Sequence, residues 1–239
     1  MVKAIVFDKD GTLIDFDAFW VSVSVCAIND ILKKLDMEDV PVEEMLCSIG
    51  VQNGASDADG ILCKGTYEQM SEAMNTVLKK YGCDVSEAEM LSLVLDAYNQ
   101  NAESGEVKAT CENIKGVLSA LRERNIKLAV VTTDNSEITH KCLQKLEIEQ
   151  FFCKVYTDDG NLPAKPDPKC LFDFSESEGI EKEKIIMVGD TMTDVRFARN
   201  AGVRVVGVGG EKNRRILEKY ADAVYPDISY ILEFLKGEQ

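Results

Sequence analysis

Histidine is almost missing from this chain of 239 residues; His140 is the single one. A histidine nucleophile or a histidine-rich metal cluster therefore has at most one residue to draw on. Basic residues are also scarce, 27 against 42 acidic ones, for a net charge of -15. That balance opposes binding to nucleic acid or to an anionic membrane, whose phosphates attract clusters of Lys and Arg. It leaves room for a small phosphorylated substrate, because charges are screened over about 8 Å and the local site outweighs the total. The eight cysteines (Cys26, Cys47, Cys63, Cys83, Cys111, Cys142, Cys153 and Cys170) include no Cys-x-x-Cys pair, which argues against a zinc site. No run approaches 18 apolar residues, and the N-terminus shows no charged-then-apolar signal pattern. The expectation is a cytoplasmic protein with free thiols, needing neither membrane nor obligate protein partner.

What is present reads as an α/β protein. From about Glu106 onward, apolar runs rich in β-branched residues alternate with segments of helical period. The runs are Lys127 to Thr132, Phe152 to Thr157, Lys184 to Gly189, Val203 to Val208 and Ala221 to Tyr225, and Lys3 to Phe7 joins them from the N-terminus. Helices are expected over Ser136 to Leu146, Pro168 to Glu178, Thr193 to Ala201, Asn213 to Tyr220 and Ile228 to Leu235. Such alternation predicts a doubly wound parallel sheet with crossover helices. Phe16 to Ser104 differs: helical spacing recurs over Phe19 to Leu35, Pro41 to Ile49, Tyr67 to Tyr81 and Ser86 to Asn101, with no convincing strand. The prediction is an α/β core of residues 1–14 and 106–239 carrying an inserted α-helical domain of residues 15–105, in which Gly50 to Gly60 forms a flexible loop.

The stretch FDKDGTLID, Phe7 to Asp15, places two carboxylates directly after the first strand. Asp10-Gly11 between apolar runs is a hairpin signal. A calcium loop is excluded, since its sixth position would be Leu13 instead of Gly and its twelfth Phe19 instead of Glu. A third reading is catalytic. Thr132 lies in AVVTT, Lys165 lies in AKPDP, and Asp190 and Asp194 lie in VGDTMTD. All follow predicted strands, at the sheet edge where open α/β folds bind ligands. As structural alternatives, Asp167-Pro168 and Asp190-Thr191 also make good helix starts.

In this order FDKDGTLID, VVTTDNS, AKPDP and VGDTMTD resemble the four motifs of the haloacid dehalogenase superfamily. The insert falls where the phosphoglycolate-phosphatase-like branch carries its cap. The resemblance implies a Mg²⁺-dependent phosphatase acting on a small phosphorylated metabolite, a phosphoglycolate-like or sugar phosphomonoester, through an aspartyl-phosphate. Asp8 would be the nucleophile and Asp10 the acid and base. Asp8, the Asp10 backbone carbonyl and Asp190 would hold the metal. Asp194 would hold Lys165 or a metal-bound water. Lys165 and Thr132 would neutralise and hydrogen-bond the phosphoryl group, with Gly11, Thr12 and Thr133 in support. Cap candidates for the leaving group are Lys64, Thr66 and Tyr67, and also Gln52 and Asn53; their alternative reading is that they cap and solvate a helix start.

Lys9 stands where the family usually has an apolar residue, and it is expected to point away from the crevice as a non-catalytic residue. DKDGT is also similar to the DKTGT of ion-pumping ATPases, which the lack of membrane spans sets aside. Asp10 argues against true dehalogenases, which lack an acid there. Two other functions fit less well: a phosphomutase of the β-phosphoglucomutase type, and a phosphoaspartyl signalling module, which would be about half this length without a cap. His140 is expected to be structural. Phe16, Phe19 and Trp20 are expected to pack the insert, and GVGGEKN, Gly207 to Asn213, reads as a loop.

Overall fold

The computed structural model describes residues 1–103 and 105–237. Ser104, where the helical pattern of the insert is read to end, and the last two residues of the chain lie outside the described residues. The chain forms two compact units, Met1–Asp15 with Val107–Gln239, and Phe16–Glu106.

The first unit is built on six strands: β1 (Ala4–Phe7), β2 (Lys127–Val131), β3 (Lys154–Tyr156), β4 (Ile185–Gly189), β5 (Arg204–Val208) and β6 (Ala223–Tyr225). They lie in the order β3-β2-β1-β4-β5-β6, every pair parallel. All residues of β1 and β4 are buried, as the unbroken apolar runs require of strands covered on both faces. On one face Val6, Ala129 and Met187 pack on Leu171 and Phe174 of helix Lys169–Glu178 and on Phe197 of helix Met192–Ala201. Burying each such large apolar side chain stabilises the fold by roughly 1.5–3 kcal/mol. The strand order reverses between β1 and β4, so their C-terminal ends diverge around a crevice. Phe7 is registered against both Val130 and Val188. Asp8 and Asp190 thus emerge side by side from adjacent strands.

The start and end of the excursion into the second unit are clasped in the first. The Asp15 amide donates to the Lys108 carbonyl (2.9 Å) and the Thr110 amide to the Leu13 carbonyl (3.1 Å), around an antiparallel bridge of Ile14 with Ala109. Thr110 Oγ1 donates to the Thr12 carbonyl at 2.6 Å.

The second unit carries helices Ser22–Lys34, Val42–Ser48, Ile61–Lys64, Tyr67–Lys80 and Glu87–Ala102, entered through a π-helical turn, Asp17–Val21. Phe19 and Trp20 are buried in edge-to-face contact, 5.0 Å between ring centroids. Buried Tyr98 donates to Ser24 Oγ (3.0 Å), which donates to the Trp20 carbonyl (2.7 Å), so each buried hydroxyl is satisfied.

Five local expectations need correction. Within Gly50 to Gly60 there is an antiparallel hairpin, Val51–Gln52 with Ala55–Ser56. Its turn residues Asn53 and Gly54 have φ of 52° and 75°, the two positive values a type I′ turn demands. Asp17 Oδ1 then accepts from both the amide (3.0 Å) and hydroxyl (2.5 Å) of Ser56. Conversely, Asp10-Gly11 does not turn a hairpin: the Leu13 and Ile14 amides both return to the Lys9 carbonyl at 2.9 Å, closing a tight loop. Ile114–Glu123 is a helix absent from the sequence reading, and Ile228 to Leu235 divides into a 3₁₀ turn, Ile228–Tyr230, and a short helix, Ile231–Phe234. Finally, GVGGEKN is mostly regular: β5 runs through Val208 and, after Gly209 and Gly210, a helix begins, Glu211–Leu217.

Candidate active site

Asp8 continues directly from β1, its amide donating to the Val188 carbonyl of β4 (2.9 Å). Lys165 arrives from the loop after β3, a loop tied down where Asn200 Nδ2 donates to the Pro166 carbonyl (3.0 Å). Lys165 Nζ bonds Asp8 Oδ1 and, at 2.7 Å, Asp194 Oδ1; the three side chains are nearly sealed from solvent. Asp194 is held in turn by the start of its own helix. Thr191 is the N-cap, accepting from the Asp194 amide (3.3 Å) while its own amide (3.1 Å) and hydroxyl (2.6 Å) donate to Asp194 Oδ2. This capping box, a helix-start signal, leaves Oδ1 to face the lysine.

Asp190 completes the cluster. One oxygen each from Asp8, Asp190 and Asp194 lies within 4.8 Å of the others. Asp190 can approach because residue 11 is glycine: an ideal Cβ there would fall 2.2 Å from Asp190 Oδ2, and Gly11 has φ of 77°. Gly189 gives Asp194 similar room, its ideal Cβ lying 2.4 Å from Asp194 Cβ. Thr12 is buried and its hydroxyl lies 3.5 Å from Asp190 Oδ1. Asn213 is a neighbour the sequence reading missed, its amide nitrogen 3.5 Å from the Asp190 carbonyl oxygen.

Burial sets the electrostatics. It pushes the Asp8 carboxyl up to about 7, against the pull of Lys165, and Asp194 adds to the rise. Asp190 is raised well above the ordinary carboxylate range by burial and by Asp8. Burial alone would lower the Lys165 ammonium, but Asp194 and Asp8 reverse this and hold it above its ordinary value. The cluster is thus short of positive charge.

Asp10 lies outside this group of three. Lys9, with 0% of its side chain exposed, does not turn away from the acidic residues as the strand alternation predicts. Its Nζ lies 2.7 Å from Asp10 Oδ1 and 2.7 Å from Asp134 Oδ2. The alternation fails because β1 ends at Phe7 and the chain is already turning at Lys9. Asp10 is raised to about 6 by burial, with Lys9 opposing.

Thr132 is buried at the end of β2, its Oγ1 accepting from the Asp134 amide (3.2 Å), so its hydroxyl proton is directed elsewhere. Thr133 is exposed on the same loop. In the second unit, Lys64 pairs with Asp59 on the surface. Thr66 caps helix Tyr67–Lys80 in a capping box with Gln69, and Tyr67 meets Tyr98 edge to face at 5.9 Å. Gln52 and Asn53 are exposed at the hairpin tip. His140 lies on helix Ser136–Lys145 and contacts Glu149 Oε1.

Comparison with known proteins finds that a family model described as haloacid dehalogenase-like hydrolase matches residues 5–208. The chain is 29% identical to the phosphoglycolate phosphatase of Haemophilus influenzae over 238 residues, 98% of each chain. It is 27% identical to the phosphoglycolate phosphatase of Pseudomonas putida, covering 96% of this chain and 78% of that one. Among solved structures, the HAD-family protein YfnB of Bacillus subtilis, bound to magnesium, superposes with a TM-score of 0.73 at 18% identity and 98% coverage of both chains.

Proposed function

The chain belongs to the haloacid dehalogenase-like hydrolases, and on that premise we propose that it is a Mg²⁺-dependent phosphatase hydrolysing a small phosphomonoester through an aspartyl-phosphate on Asp8. The observation that carries this reading is the Lys165 clamp between Asp8 and Asp194, set beside Asp190. Phosphomonoesters are among the slowest esters to hydrolyse, and their enzymatic acceleration reaches about 10²¹-fold. Such a site must combine a nucleophile, a proton donor and compensation of negative charge.

The metal fits the donors: three carboxylates offering oxygens within 4.8 Å of one another suit a hard divalent cation. Asp8 and Asp190, with the Asp10 backbone carbonyl, would hold Mg²⁺. When bound it supplies the positive charge that the buried carboxylates lack and draws charge from the phosphate oxygens.

The residues act in two displacements. The Asp8 carboxylate attacks phosphorus; the bond to the leaving oxygen breaks, and that oxygen takes a proton from Asp10. Asp10, now ionised, then removes a proton from a water that attacks the phosphorus. The bond to Asp8 breaks, phosphate leaves, and both aspartates return to their starting states. Lys165 and the Thr132 hydroxyl neutralise and orient the phosphoryl oxygens, and Asp194 keeps Lys165 in place. Gly11 and Thr12 shape the Asp190 side of the site, and Thr133 offers its amide to the phosphate.

The substrate is assigned to the phosphoglycolate and sugar-phosphate class, the first of these in line with the relatives' names. Recognition of its organic part falls to the insert, with Lys64, Thr66 and Tyr67 as candidates; the exposed Lys64 ammonium suits a carboxylate on the leaving group. The test is phosphate release from phosphoglycolate, sugar phosphates, nucleotides and pyrophosphate with and without Mg²⁺. Metal-dependent release from one class supports the reading. No metal-dependent release from any, or sugar-phosphate isomerisation without release, overturns it.

A further inference from the structure

We propose that Lys9 is a positioning residue for the acid–base carboxylate, clamping one oxygen of Asp10 and bracing that clamp on Asp134 of the neighbouring strand-end loop. The inference rests on the phosphatase reading above and adds to it a residue that the two displacements do not use. Lys9 is wholly enclosed, whereas Asp10 and Asp134 retain 16% and 19% of their side-chain exposure. The ammonium is therefore more deeply enclosed than either carboxylate it pairs with.

A fully buried lysine is rare unless paired, and stability alone does not account for this one. Replacing buried ion pairs by apolar side chains of similar volume is commonly neutral or stabilising. What an ion pair supplies, and an apolar residue cannot, is a fixed geometry. A carboxylate turns about its terminal bond with a broad, two-fold preference. Holding Asp10 Oδ1 at 2.7 Å fixes the carboxylate plane and so the place from which Asp10 exchanges a proton with the leaving group. The brace is itself secured: the Asp134 amide donates to Thr132 Oγ1 (3.2 Å) and its carbonyl accepts from the Asp158 amide (2.8 Å). Because β1 and β2 are adjacent, with Phe7 registered on Val130, the two loops spring from neighbouring strand ends and one side chain spans them.

The experiment compares kcat/KM for phosphoglycolate, whose alkoxide needs protonation to leave, with that for p-nitrophenyl phosphate, whose leaving group does not. Lys9→Met and the double variant Lys9→Met/Asp134→Asn are measured beside wild type, with Asp10→Asn as reference and thermal melts as a check on folding. The expected result is a fall of tenfold or more in the phosphoglycolate to p-nitrophenyl phosphate ratio in both variants, in the direction shown by Asp10→Asn. A purely structural loss would lower both substrates together and leave the ratio unchanged. Should Lys9→Met fail to fold with Asp134 left unpaired, the double variant, which removes both buried charges, decides. A ratio within twofold of wild type in the folded double variant overturns the role of Lys9 while leaving the phosphatase reading intact. Wild-type protein that hydrolyses neither ester overturns both.

Discussion

Gly11 and Asp190 occupy one another's space: a methyl group on residue 11 would fall 2.2 Å from Asp190 Oδ2, although 178 residues separate Thr12, the next residue, from that aspartate. Gly11→Ala would also carry a side chain at φ of 77°, a strain of order 1 kcal/mol. We expect Asp190 to be displaced, with Mg²⁺ affinity falling by tenfold or more and thermal stability by about 1–2 kcal/mol. Calorimetric Mg²⁺ titration and urea unfolding check both. Unchanged metal affinity would contradict the place given to Asp190.

Asp8→Asn keeps an oxygen for Lys165 to bond but removes the nucleophile. Turnover should fall at least about 10³-fold while the melting temperature stays close to that of wild type. Full activity in this variant with Mg²⁺ present would rule out the aspartyl-phosphate.

Without metal the protein should lose stability as pH rises. Asp8 and Asp10 ionise in the fold near about 7 and about 6, and Asp190 is also raised, whereas in the unfolded chain such groups ionise near 3.8. Between those values the unfolded chain binds fewer protons than the fold. The stabilising contribution is therefore complete below about pH 4 and lost as pH climbs through 6 to 7, each group adding a slope of up to about 1.4 kcal/mol per pH unit. On the proposed reading Mg²⁺ would bind the ionised carboxylates only in the folded chain, and its addition should flatten this decline. Melting curves from pH 5 to 8 in EDTA and in Mg²⁺ test it; stability that rises with pH in EDTA would contradict it.

Thr191→Val removes the hydroxyl that caps helix Met192–Ala201 and donates to Asp194 Oδ2 at 2.6 Å. The cap loss should cost about 1 kcal/mol. Release of Asp194 should let Lys165 drift and lower kcat by about tenfold, since misplacement of a positioned group by 1 Å costs up to about 10²-fold. Thr191→Ser should restore both. Urea unfolding and steady-state kinetics measure the two effects, and a valine variant with wild-type kcat would detach Asp194 from the chemistry.

Much of this architecture is legible in the chain because β-branched apolar runs and helical spacing mark strands and helices directly. The site motifs are legible because their residues follow strand ends, and the sheet collects those ends at one edge. Two dipeptides show where local reading fails. Asn53-Gly54 carries the stronger hairpin signal and makes the hairpin, yet the surrounding Gly and Asp residues make it resemble a loop. Asp10-Gly11 carries nearly the same signal but is drawn into a tight loop by the Lys9 carbonyl and by the approach of Asp190. Helix Ile114–Glu123 buries Ile114, Val117, Leu118 and Leu121 at regular helical spacing, but Gly116 in its first turn reads as punctuation. The pair of Lys9 with Asp134 is out of reach of local reading because the two are distant in sequence, and the adjacent Asp10 does not by itself announce a buried ion pair.

The clasp of Leu13 to Asp15 with Lys108 to Thr110 gives the excursion between them the character of a replaceable part. The separation of Asp8 from Asp190 is set by hydrogen bonds between two neighbouring strands and is indifferent to the length of chain strung from the clasp. A change of loop length adds little closure entropy, about 0.6 kcal/mol for each doubling. On the proposed reading, in which the insert recognises the substrate, substrate choice can change within the segment from Phe16 to Glu106 while the strand ends keep one geometry.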